Sequence, residues 1–102
     1  MMDSKFSRSR VLTIKDFKED DIGKFRFAGN DHEVVFYEDG AEGSKMKIEV
    51  WYLEEQKRYK KDERVIDRKF TNNKYLIKER NRQIWYWINR FYKAYCSDIK
   101  ST

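Results

Sequence analysis

The chain has 102 residues, 40% of them charged and 17% aromatic, with no proline, one cysteine and a net charge of +5. That length leaves no room for a second domain or a deep multi-residue pocket and supports one modest core. Disordered chains are poor in aromatics, so the aromatic content argues for a folded domain despite the charge.

Cys96 is the only cysteine, which excludes an internal disulfide and fits a reducing compartment. The opening MMDSKFSRSR has no apolar stretch of signal-peptide type, and no run approaches the ~18 apolar residues of a membrane span. A cytoplasmic location is the expectation.

In chain order, residues 1–8 read as a basic tail. RVLTIK (10–15) reads as a short strand because it is rich in β-branched residues. KDFKEDDIG (15–23) is a polar loop or one helical turn. KFRFA (24–28) alternates Phe25 and Phe27 with Lys24 and Arg26, the period of a half-buried strand. Gly29-Asn30-Asp31 are residues that accept positive φ in a tight turn, and EVVFYE (33–38) is the return strand. After a second turn at Gly40 and Gly43, KMKIEVWYL (45–53) alternates again and predicts an inner strand.

Residues 54–70 fit either a helix or a hairpin. Val65, Ile66 and Phe70 favour the hairpin, with its turn at Lys60–Glu63. Thr71-Asn72-Asn73 are N-cap residue types, and a long helix is expected over 72–98. At about 100° per residue, Ile77, Ile84, Ile88, Phe91 and Tyr95 share one stripe, flanked by Leu76 and Trp87 on one side and by Trp85 and Tyr92 on the other. The fold class that follows is α+β, an antiparallel sheet of four or five strands crossed by one C-terminal helix.

On the helix back, Tyr75 and Tyr86 stand among Arg82, Arg90 and Lys93. Rings interleaved with cations are what single-stranded nucleic acid needs, because bases stack on the rings while the cations meet phosphates. The same mixture suits protein interfaces, and local packing of Tyr86 on Arg82 or Arg90 explains it equally well. A second cluster, Lys57, Arg58, Tyr59, Lys60 and Lys61, repeats the pattern. Charge is also asymmetric along the chain. Residues 16–42 hold nine acids against three bases, whereas residues 56–93 hold thirteen bases against four acids.

Catalytic and metal signals are weak. His32 is the single histidine, too few for a structural zinc site, and no cofactor is expected. Cys96 and His32 fall in distant elements. Glu55-x-Lys57 matches the carboxylate-x-lysine element of metal-dependent nucleases, but such a short match says little in so charged a chain. The expectation is a non-enzymatic binding protein that takes single-stranded DNA or RNA, or structured RNA. The alternative is a phage-type protein inhibitor or adaptor acting on a nucleic-acid-handling machine. It would use the basic helix back or the acidic residues Asp16, Glu19, Asp20 and Asp21. A homodimer through Tyr86 and Tyr92 is a third reading.

Overall fold

A computed structural model describes residues 10–69 and 71–96. The tail read at 1–8, Phe70 and helix positions 97–98 lie outside the described residues. The chain is α+β: a five-stranded antiparallel meander followed by one helix. The strands are β1 (Lys18–Glu19), β2 (Phe25–Ala28), β3 (His32–Asp39), β4 (Lys45–Glu54) and β5 (Lys57–Asp67), in that spatial order. Helix α1 spans Lys74–Phe91 and passes into a π-helical turn over Tyr92–Cys96. Among the described residues, no helix is long and apolar enough to cross a membrane.

The period-2 alternation of β2, β3 and β4 is realised in the sheet register. Phe25 pairs with Phe36, Phe27 with Val34, Phe36 with Ile48 and Val34 with Val50. These side chains face α1, whose Ile84, Ile88 and Phe91 complete the core. Phe17 contributes from outside the sheet. Its ring lies 5.0 Å from that of Phe36 and 5.9 Å from that of Trp85, both edge-on. Burying each large side chain of this kind contributes about 1.5–3 kcal/mol.

The strand expected over 10–15 does not form. Its backbone bonds go to a side chain instead: Leu12 N–H donates to Asn89 Oδ1 at 2.6 Å, and Asn89 Nδ2 donates to the Leu12 carbonyl at 3.3 Å. One amide thus replaces a strand neighbour, and Leu12 drops fully into the core. The first strand lies later, within the segment read as a loop, where Lys18 and Glu19 pair with Arg26 and Phe25.

The hairpin expected of the 54–70 segment forms from β4 and β5, ending at Asp67, but its turn is Glu55-Gln56 rather than Lys60–Glu63. Glu54 pairs with Lys57, Leu53 with Arg58 and Tyr52 with Tyr59. A bulge at Lys61 then shifts the register, so that Asp62, Arg64 and Ile66 oppose the core-facing Val50, Ile48 and Met46. Glu55 adopts φ +45°, the left-handed conformation that a two-residue hairpin asks of its first loop position.

Gly29 is needed for proximity rather than for positive φ. A Cβ there would lie 2.5 Å from the Cβ of Cys96. Asn73 caps α1 by accepting from the backbone N–H of Tyr75 and Leu76. The expectation that Leu76 and Ile77 belong to the core stripe is corrected. Both are exposed, and the first buried residue of the helix is Ile84. Ile77 instead lines an open hollow between the helix, the end of β5 and the Ala41–Ser44 turn, which leaves it uncovered.

Candidate nucleic-acid interface

Because α1 buries Ile84, Ile88 and Phe91, its opposite face is held outward. There Tyr75 and Tyr86 are 70% and 51% exposed, and Arg82, Arg90 and Lys93 are exposed beside them. Tyr86 is held at two points. Its ring meets Trp87 edge-on at 5.4 Å, and its hydroxyl accepts from Arg90 Nη1 at 3.2 Å. Arg90 itself lies 5.4 Å from the Trp87 ring centroid, a cation–π contact that fixes the guanidinium next to the tyrosine. Arg82 pairs with Glu79 one turn back.

The segment docked by Asn89 turns this face into a groove. Val11 forms one wall of a hollow of about 480 Å³, and Arg82, Trp85, Tyr86, Asn89, Arg90 and Lys93 supply the rest. A second hollow of about 410 Å³ continues toward the helix start between Tyr75, Lys78, Glu79, Asn81, Arg82 and Trp85. Arg82 and Trp85 line both, so the two hollows adjoin along the helix. Five of the residues expected on a binding surface (Tyr75, Arg82, Tyr86, Arg90 and Lys93) therefore come together.

The other five divide. Strand alternation sends Arg58 and Lys60 to the helix-free face of the sheet. Arg58 donates to Glu33 at 2.7 Å and lies 4.6 Å from the Trp51 ring centroid. Lys60 donates to Glu63 at 2.7 Å and reaches Glu49 at 3.4 Å, and these partners raise its pKa. Tyr59 points to the helix side, stacked on Tyr52 at 6.3 Å. Lys57 is exposed at the hairpin turn and Lys61 is exposed at the bulge.

Glu49 is the buried carboxylate of the helix-free face, 4% exposed. Burial alone would raise its pKa. Donation by the Tyr37 hydroxyl at 2.7 Å and the Trp51 indole at 2.9 Å, with Lys60 alongside, holds it below the ordinary value instead. The Tyr37 hydroxyl, buried against that carboxylate, is pushed up. Among the described residues, no buried side-chain nitrogen or oxygen lacks a partner.

The acidic residues have varied surroundings. Asp16 accepts from the Thr13 backbone N–H at 2.8 Å and from Arg10 at 2.6 Å. Asp20 accepts from Arg26 and from the backbone N–H groups of Lys24 and Ile22, which bring its pKa down to about 2. Both hold the turns around β1 together. Glu19 and Asp21 are exposed. His32 Nδ1 lies 2.8 Å from Asp31, and its ring sits between those of Tyr52 and Tyr95. Burial pushes the Cys96 thiol up to about 11, the reverse of what a nucleophile needs. Glu55 occupies the hairpin turn. Tyr92 is buried edge-on to Phe27, so it cannot serve the dimer interface expected of it.

The groove also takes in residues that the sequence does not mark as site residues, among them Val11, Lys78, Asn81 and Trp85. Trp85 reads as a core flank and is one, through Phe17 and Phe36, yet it also lines both hollows. Asn89 could have been suspected, because an amide beside the core position Ile88 needs a polar partner. No family model matches the chain, no curated protein is similar to it, and no solved structure matches its fold.

Proposed function

We infer that this protein binds single-stranded nucleic acid along the outer face of α1, without catalysis. The observation that carries this reading is the pair of adjoining hollows along α1, in which Tyr75, Trp85 and Tyr86 present rings between Lys78, Arg82, Arg90 and Lys93. Exposed rings offer stacking surfaces to unpaired bases, and cations at their rims meet the phosphates between them. A duplex hides its base faces and gains only the charge term, so single strands are preferred.

The protein-binding alternative has less support on its acidic side. Asp16 and Asp20 are engaged in local turns and ion pairs, leaving Glu19 and Asp21 as the exposed members of that quartet. A protein partner on the basic helix face is the competing outcome of the same test. Fluorescence anisotropy at low salt, with one labelled oligonucleotide offered as a single strand and as a duplex, decides it. Tighter binding of the single strand is expected. Absence of binding to either form rejects the reading and leaves a protein partner to be sought.

A further inference from the structure

At the start of the helix the groove meets a third hollow, of about 360 Å³, between the Gly40–Ser44 turn, the end of β5 and α1. Asn81 lines both this hollow and its neighbour, so the two adjoin around the side of the helix. Its walls carry Arg68 and Arg80, with the Ser44 and Thr71 hydroxyls and the Asn81 amide between them. Ile77, exposed against expectation, forms an apolar side.

Both arginines are anchored by neighbouring groups. Arg68 Nη2 donates to Glu38 at 2.8 Å and to the Gly43 carbonyl at 3.3 Å, and Arg80 Nη1 donates to the Lys69 carbonyl. A guanidinium carries five donors, so each fork keeps donors for an oxygen pair while its position is set in advance. Lys69 adds a third cation, and the countercharges are Glu42 in the lining and Glu38 on Arg68. The surplus is positive. The volume is that of a small-ligand site.

We propose that this hollow seats a phosphate monoester, namely the terminal phosphate of the strand that lies along α1. The inference rests on the nucleic-acid reading above. A monoester suits the hollow better than a phosphodiester does. It brings a charge of about −1.5 to −2 at neutral pH and three terminal acceptor oxygens, which match two anchored guanidinium groups and the hydroxyl and amide donors. A strand that leaves the groove past Asn81 would bring its terminal phosphate into the hollow, which makes it a reader of strand ends.

The test compares one short oligonucleotide carrying a 5′-phosphate, a 3′-phosphate or hydroxyls at both ends, by competition anisotropy. One phosphorylated form is expected to bind about tenfold tighter than the hydroxyl form, the effect of a charge-assisted bidentate contact. Arg80→Ala should remove that preference while leaving the hydroxyl form bound within about twofold. Arg80→Gln, with circular dichroism, guards against a folding defect. Equal affinity of all three forms overturns the strand-end assignment.

If no oligonucleotide binds, the functional reading has failed. The hollow is then tested alone by ¹⁵N NMR with inorganic phosphate. Shifts confined to the Ser44, Thr71 and Asn81 amides, lost in Arg80→Ala, support a site for a free phosphate. No shift overturns the hollow as a phosphate site.

Discussion

Tyr86 and Glu49 show what opposite faces of the molecule require of single residues. Tyr86 is half exposed and contributes little to the core. Tyr86→Ala should therefore leave the melting temperature within the range of a surface change, about 0.5 kcal/mol, and weaken single-strand binding by about 1–3 kcal/mol. Tyr86→Phe keeps the ring and should bind nearly as well. Equal loss in both variants would show that the hydroxyl bonded to Arg90, and not the ring, matters. Glu49 is a stability residue. Its folded carboxyl titrates below the ordinary 4.5, so its ionised form contributes stability above that pH, and the contribution is lost as pH falls through the folded value. Glu49→Gln should cost about 1–3 kcal/mol near pH 7. Urea denaturation at pH 7 and pH 3 should show the difference shrinking in acid. An unchanged difference would mean that shape, and not charge, is what the site recognises.

At the level of elements, the sequence exposes what local chemistry alone decides. The alternation of Phe25 and Phe27, and of Met46, Ile48 and Val50, locates β2 and β4 because one face of each must be buried. Asn73 marks the start of α1 because its side chain can satisfy helix N–H groups. What the sequence hides depends on distant partners. RVLTIK has strand composition, but the Asn89 amide captures Leu12 first. Lys60–Glu63 looks like a polar turn, yet Lys60 is held in strand by Glu49, Glu63 and Trp51. The actual turn lacks glycine or asparagine and places Glu55 in the left-handed region. The candidate residues on the helix face follow from the 3.6-residue period, whereas the hairpin cluster is split by a period of two. Relief of the turn is testable. Glu55→Gly removes the penalty of positive φ at some cost in chain entropy, for a net gain of about 0.5–1 kcal/mol. Calorimetry should show melting raised by about 4 °C. An unchanged or lower melting temperature would indicate that the Glu55 conformation carries no penalty.

Across the whole molecule the fold redistributes a charge pattern that the sequence shows only as two opposed stretches. Arg58–Glu33 and Arg68–Glu38 join the basic stretch to the acidic one, and Arg26 engages Asp20 and Glu33. The sheet side is thereby cross-neutralised, while the helix face keeps Lys78, Arg82, Arg90 and Lys93 against Glu79. For the proposed single-strand binding, this charge distribution sets the expected response to salt. Neutralising Z phosphates of a single strand gives a slope of log K against log salt of about −0.7Z. Three or four contacts from the helix face predict a slope of about −2 to −3, so affinity should fall by about 20- to 50-fold between 50 and 200 mM salt. Were the hairpin bases Lys57, Arg58, Lys60 and Lys61 also on the strand, the slope would steepen to about −5 and the loss would approach about a thousandfold. Lys57→Glu combined with Lys61→Glu should accordingly leave the slope unchanged, whereas Arg90→Ala should lower its magnitude by about 0.7. If the hairpin pair flattens the slope instead, the strand runs past the helix end and onto β5, and the helix groove is only part of its path.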